Sequence, residues 1–262
     1  MQIISFLTDF GTKDSYISQM KAIASSISDA RLVDITHEIT PHNIREGAYT
    51  LRCAAPFFPL GTVHIAVVDP GVGTTRRGIL ITTSKQILIG PDNGLLMPTA
   101  HYLGKYIVYE IKNEKYMLDS VSSTFHGRDV FTPVAAHITQ GVPFEEIGEK
   151  IDDFVDLNFG KGEIDKSTAK SQVIYIDRFG NIITNLEKDD IMKNLSYDKN
   201  IMMYIGKKFL KIPFVKSYGY VKKNQILATI GSGNLLEIGI NQGNAAKKLG
   251  IKEDDKLDLL LG

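Results

Sequence analysis

Near residue 150 the chain changes its pattern, and no single simple architecture satisfies both halves. Before that point, short apolar runs alternate with stretches of helical period. Beyond about residue 170, short apolar runs follow one another with turn residues between them. In the first half, IISFL (3–7), RLVDI (31–35), VHIAVV (63–68), GILITT (78–83) and QILIG (86–90) read as strands. Between them, Ile17, Met20, Ala24 and Ile27 repeat at helical spacing, with Asp14 or Ser15 as the expected cap. Asn43 followed by Glu46 resembles a capping box opening a helix through Ala54, and DVFTPVAAHITQ (129–140) reads as a helix capped by Asp129. Strands interleaved with helices predict a mostly parallel sheet covered by helices on both faces.

The second half carries QVIYID, NIITNL, IMMYIG, KFLKI, ILATI, LLEIGI and KLDLLL, with short helical stretches only near 187–194 and 245–249. That pattern predicts a small β-barrel or sandwich. The polar stretch GKGEIDKSTAKS (160–171) reads as a linker. The expected organisation is therefore α/β, with an N-terminal α/β domain over residues 1–160 and a C-terminal β-barrel domain over 170–262.

At 262 residues such a chain buries a sizeable core without disulfide or metal. Thirty basic and thirty acidic residues give a formal net charge of zero, which argues against a nucleic-acid partner. No apolar run reaches the roughly 20 residues of a membrane span, so no membrane partner is expected. MQIISFLTDFG lacks a basic region and is interrupted by Asp9, unlike a signal peptide. The lone Cys53, in LRCAAPFF, reads as a buried structural thiol, and one cysteine fits a reducing cytoplasm.

The loop VVDPGVGTTRRG (67–78) looks at first like a phosphate cradle. It fails both templates: Arg76 stands where a dinucleotide fingerprint needs its third glycine, and no Gly-Lys-Ser/Thr closes it. HEITPH (37–42) misses the zinc-helix spacing by one residue, and Pro41 would break the helix, so no metal site is expected. No serine elbow G-x-S-x-G occurs.

Ligands of open α/β sheets gather where strands end. Asp9, Asp69 and the set His126, Arg128, Asp129 all stand in such strand-exit loops. Each also has a plain structural role open to it, as turn former or cap. In the second half, Asp177, Phe179 and Asn181 leave a strand into a turn at Gly180, which suits either a ligand or an ordinary hairpin. GSGNLLEIGINQGNAA (231–246) suits close backbone approach to a ligand, or a turn into a barrel strand.

Together LTDFGTKDSY, NIREGAY, VVDPGVGTTRR, GPDNGLL, STFHGRD, DRFGNIITN and GSGNLLEIGINQGNAA resemble the S-adenosyl-L-methionine hydrolases that form adenosine, relatives of the fluorinases and chlorinases. The resemblance spans nearly the whole chain. It implies an α/β first domain, a β-barrel second domain, and a homotrimer whose sites lie between the first domain of one subunit and the second of its neighbour. It implies in-line attack of water or hydroxide on the 5′ carbon of S-adenosyl-L-methionine, with methionine leaving and no cofactor or metal. The hydrolases' Asp-Arg-His set matches Asp69, Arg76 and His126. The halogenases alter these positions and hold a halide near the residue matching Gly127. Substrate contacts implied are Asp9 at the ribose, Asn181 at the adenine edge, Asp177 and Ser232 at the methionine end, Phe179 packing nearby, Gln242 through its backbone, and Glu237. His42 departs from the fluorinase pattern, which has tryptophan there. A guanidinium beside Asp69 is expected to lower that carboxylate's pKa. The competing readings are a protein that binds S-adenosylmethionine or adenosine without turnover, and a halide-using synthase of the same fold.

Overall fold

Alternate residues of the first strand serve opposite faces of one sheet, and both faces are covered. A computed structural model describes residues 2–205 and 208–262. Strand β1 (Ile3–Thr8) runs parallel to β2 (Arg31–Thr36) on one side and β3 (Val63–Val67) on the other. β5 (Ile87–Pro91) continues parallel to β3, then β4 (Gly78–Thr83) and β6 (Tyr106–Glu110) add antiparallel strands, giving the order β2-β1-β3-β5-β4-β6. β6 is an edge strand that the apolar pattern did not reveal.

The helices of this half are α1 (Tyr16–Ile27), α2 (Ile44–Ala54), α3 (Met97–Leu103), α4 (Thr132–Thr139) and the single turn α5 (Phe144–Ile147). Ile4 and Phe6 of β1, with Val63, Ile65 and Val67 of β3, pack under Ile17, Met20 and Ala24 of α1 and Val134, Ala135 and Ile138 of α4. On the other face α2 packs beside α3. There Gly47 lies so close to the sheet that a Cβ would stand 2.8 Å from Leu95 Cδ1 and 3.0 Å from Val68 Cγ2. Ser5 and His64 are neighbours in register on this face, with the Ser5 hydroxyl 2.6 Å from His64 Nδ1 and both residues fully buried. Burial pushes the His64 imidazole down to about 4, against a smaller opposing contribution from Gln86.

Local signals at the helix ends fared unevenly. Asn43 caps α2 by accepting from Glu46 N at 3.0 Å, but Glu46 Oε2 reaches back to Thr40 N at 3.1 Å rather than to its cap residue. Ser15 occupies the cap position of α1, yet its hydroxyl accepts from the Gln19 side chain at 2.9 Å and caps no amide. Cys53 is half-buried, and burial pushes its thiol up, away from a reactive thiolate.

The chain separates into two compact units, Met1–Asn158 and Phe159–Gly262. The stretch expected to be a linker holds β7 (Glu163–Asp165) and the start of β8 (Thr168–Ile176), which pair as a hairpin. β9 (Ile182–Glu187), α6 (Lys188–Asn194), β10 (Lys199–Ile205), β11 (Lys208–Phe214), β12 (Ile226–Ile230), β13 (Leu235–Ile240), α7 (Ala245–Leu249) and β14 (Lys256–Leu261) follow. The strands run β14-β10-β11-β12-β13-β9-β8-β7, and antiparallel pairing of β14 with β8 closes a seven-stranded barrel, leaving β7 as an appendage. Val173, Leu186, Met203, Phe214, Leu236 and Leu257 fill its core. Asn244 caps α7 by accepting from Lys247 N at 2.7 Å, and Gly250 ends it in the left-handed region at φ 69°.

Candidate active site

Strand β3 ends at Val67, and the chain then doubles back on itself. Val72 N donates to Asp69 O at 3.3 Å, Thr74 N to Gly71 O at 3.2 Å, and the Thr74 hydroxyl to Gly71 O at 2.7 Å. Gly73 adopts φ 75°, a conformation that favours glycine. These turns bring Arg76 over the aspartate that began the loop. Its Nε donates to Asp69 Oδ1 at 3.2 Å and its Nη2 to Asp69 Oδ2, while Nη1 donates to Arg77 O at 3.1 Å. Nη2 also donates to His126 Nδ1 at 3.1 Å. The guanidinium rests 5.4 Å from the centre of the Phe131 ring. Asp69 and Arg76 are 4 % and 8 % exposed through their side chains, so the pair is almost out of water.

The geometry fixes the hydrogen-bond roles within this set. A guanidinium can only donate, so His126 Nδ1 is an acceptor and the imidazole proton sits on Nε2. Burial and the Arg76 charge lower the His126 pKa, against opposing contributions from Asp69 and Asp129, which keeps the ring neutral near pH 7. Asp69 departs from the sequence-based expectation: burial raises its pKa, and the Arg76 pairing, His126 and the Gly71 amide offset that only in part. Depth of burial outweighs the neighbouring cation.

Asp129 is a second correction. It caps no helix; it lies inside a π-helical turn, Gly127–Phe131, that leads into α4. Pro133, which follows, has no N–H to bond the Asp129 carbonyl four residues earlier. Thr132 N reaches back five residues to Gly127 O instead, and the Thr132 hydroxyl donates to the same oxygen at 2.7 Å. Gly127, at the head of this turn, lies against Met20 and Phe125 with room for a Cβ at ordinary contact distance. Asp9 follows β1, whose Thr8 is opposite Val67 of β3, the strand that leads to Asp69. Asp9 Oδ2 accepts from the backbone N–H of His42, which adopts φ 68°.

In the second unit the 177–181 hairpin is tied by its own aspartate. Asp177 Oδ1 accepts from Phe179 N and Asn181 N, both at 2.9 Å, and Oδ2 from Asn181 Nδ2 at 2.8 Å. Gly180, at φ 81°, packs so closely on Asn244 that a Cβ would stand 2.0 Å from its Cγ. The turn leaves Phe179 69 % exposed, a large apolar ring turned outward from the barrel. A cavity of about 360 Å³ is lined by Asp177, Phe179, Asn181, Ser232 and Glu237. A second, of about 550 Å³, is lined by Phe179, Asn181, Asn241 and Gln242, the last at φ 55°. Tyr218 lines both and was not singled out in the sequence; its hydroxyl donates to Glu237 Oε1. Burial raises the Glu237 carboxyl, with the Asp177 charge adding to it and the Tyr218 hydrogen bond opposing.

Among the described residues, no group of three His, Cys, Asp or Glu side chains is arranged to hold a metal ion. Residues 4–148 match the SAM hydroxide adenosyltransferase N-terminal domain, and residues 171–258 match the C-terminal domain of the same family. A protein of Methanocaldococcus jannaschii named (R)-S-adenosyl-L-methionine hydrolase is 41 % identical over 271 residues, covering 99 % of this chain and 96 % of its own. A fluorinase of an Actinoplanes species is 27 % identical, over 82 % of this chain and 83 % of its own. A crystal structure of a conserved protein from Thermotoga maritima superposes with a TM-score of 0.91 at 35 % identity, covering 98 % of this chain and 100 % of that one. The chain belongs to the SAM hydroxide adenosyltransferase family.

Proposed function

We propose that the protein hydrolyses S-adenosyl-L-methionine to adenosine and L-methionine. The observation that carries this reading is the hydrogen-bonded set Asp69–Arg76–His126, held nearly dry, in a chain 41 % identical over its length to a named hydrolase of that substrate. Water attacks the 5′ carbon, the C5′–S bond breaks, and its electron pair returns to sulfur as methionine leaves. A sulfonium is a good leaving group, so the demand falls on aligning an oxygen nucleophile and taking its proton.

In this reading three residues divide that work. Asp69 is the proton acceptor, because burial makes its carboxylate a better base than an exposed one. His126 has committed Nδ1 to Arg76, so it presents Nε2–H and steadies hydroxide-like charge on the attacking oxygen. Arg76 orients both partners. Asp9 serves the ribose hydroxyls, and Asp177, Phe179, Asn181, Ser232, Glu237 and Gln242 form the adenine and methionine contacts, with the reaction needing no cofactor or metal. The test is chromatography of purified protein incubated with S-adenosyl-L-methionine, with and without halide. Equimolar adenosine and methionine without halide supports hydrolysis. Turnover only with halide would establish a synthase, and retained but unconverted substrate a binding protein.

Gly73 is expected to matter for this chemistry although it bears no side chain. A Cβ there would stand 2.2 Å from Ser123 O, and φ 75° is strained for alanine. Gly73→Ala should push the Asp69 loop away from the loop carrying His126 and lower kcat by about tenfold or more. Steady-state kinetics check this, and an unchanged kcat would contradict it.

Copies of the chain assemble into a cytoplasmic homotrimer with substrate sites at the subunit interfaces. Phe57 and Leu60 support this, being 82 % and 79 % exposed, apolar surface that an interface would cover. No described helix is long and apolar enough to cross a membrane. Specific activity should fall on dilution as sedimentation velocity shows dissociation. Full activity in a demonstrably monomeric sample would overturn the shared site.

A further inference from the structure

Asp129 is fully buried, and its carbonyl and Oδ2 both bond the segment that leads to His126. Its carbonyl, which Pro133 cannot bond, accepts from Leu118 N at 2.9 Å. Its Oδ2 accepts from Ser122 N at 2.8 Å. The Arg128 guanidinium clamps the same carboxylate, Nε to Oδ1 at 2.6 Å and Nη2 to Oδ2 at 3.1 Å, and its Nη1 donates to Gln19 Oε1 of α1 at 2.8 Å. One residue thus pins the loop at two points four residues apart and ties it, through Arg128, to a helix of the sheet's cover. Four residues past Ser122 comes His126. Ser123, between them, is the residue whose carbonyl Gly73 must admit. The loop bearing His126 and the loop bearing Asp69 and Arg76 therefore take their mutual register from a segment that Asp129 holds.

We propose that Asp129 is a positioning residue for His126, fixing the imidazole where Arg76 can reach its Nδ1 through the hydrogen bonds to Leu118 and Ser122. The proposal rests on the hydrolase reading for its kinetic consequence, but the placement itself does not. Three charged groups bear on the imidazole: Arg76 and Asp69 from the glycine loop, and Asp129 from the π-helical turn. Asp129→Asn turns an amide N–H toward the Arg128 guanidinium or the Ser122 N–H, since it cannot accept from both as the carboxylate does.

The experiment compares the parent and Asp129→Asn in three measurements: kcat and KM for S-adenosyl-L-methionine, the His126 ring signals by NMR across pH 4–9, and the folded fraction at the assay temperature. Expected are a kcat lowered about tenfold or more with KM within about twofold, and His126 signals displaced and titrating lower once the Asp129 charge is gone. Unchanged His126 signals overturn the proposal whatever the activity, and so does a kcat loss that vanishes after correction for folded fraction. If the parent shows no hydrolysis, the hydrolase reading fails while the NMR comparison still decides the placement. Should Asp129→Asn not fold, Ser122→Pro removes the loop amide that Asp129 holds, and Ser122→Ala, which loses only the hydroxyl that accepts from Thr124 N at 3.2 Å, is its control. The same loss of kcat and displacement of His126 are expected from Ser122→Pro, and neither appearing would overturn the proposal.

Discussion

Asp69→Asn is expected to lower kcat for S-adenosyl-L-methionine hydrolysis by about 10²- to 10⁴-fold, the range for loss of a positioned proton acceptor. The substitution keeps shape and volume but removes the base. It also turns one of the two groups facing the Arg76 guanidinium from acceptor to donor, where Nε and Nη2 now both find oxygen. His126 cannot compensate, because the lone pair of its neutral ring already accepts from Arg76. Substrate affinity should change little by calorimetry, since Asp69 acts on the attacking water. The guanidinium left half-paired at 8 % exposure costs stability, about 1–3 kcal/mol, so turnover is compared per folded molecule by circular dichroism. A variant retaining more than a tenth of the parent's kcat would remove Asp69 from the chemistry.

Acid should unfold the protein through a residue of β3, the strand that leads into that loop. His64 is fully buried, with burial holding its imidazole down at about 4. The unfolded chain binds that proton near pH 6.5 and the folded chain does not, so stability rises with pH across the interval between the two. Falling from pH 7 to pH 4 should remove about 3 kcal/mol on this account, and below about 4 the loss levels off as the folded imidazole also charges. Urea unfolding of the parent and His64→Asn at pH 7 and pH 4.5 isolates the effect from carboxylates that titrate in both. The stability gap between the two proteins should narrow by most of that amount at the lower pH. Parallel losses would assign the acid sensitivity elsewhere.

Strands with apolar runs were legible in the sequence, and so was the change from interleaved helices to successive strands, because each depends on local pattern. What escaped depends on partners far along the chain. β6 is an edge strand flanked by Lys105 and Lys112, with Ile107 exposed, so half its pattern faces outward and reads as loop. β7 is three residues long and is a strand only through its backbone pairing with β8. Closure of the barrel needs Lys256 opposite Gln172, a register no short window contains.

The candidate site divides along the same line. Asp69, Arg76 and His126 were identifiable by type and by resemblance, and the structure draws those three into one hydrogen-bonded chain. Their protonation was not identifiable, since the sequence shows a cation near Asp69 but not how little water reaches it. Asp129 was expected as a cap because an acidic residue stands before a helical pattern. It stands instead inside an irregular turn, bonded to Leu118 and Ser122 of the preceding loop. Tyr218 sits among turn residues in KSYGY (216–220) with nothing local to mark it, and meets Glu237 only when β12 and β13 have folded back.

The central claim is that water, placed by Asp69, becomes the 5′ hydroxyl of adenosine. The direct measurement is turnover of S-adenosyl-L-methionine in ¹⁸O-labelled water without halide, with mass spectrometry of both products. The account predicts one labelled oxygen in adenosine, none in methionine, and loss of both products in Asp69→Asn. Adenosine without label, or no adenosine while substrate stays bound, would contradict it.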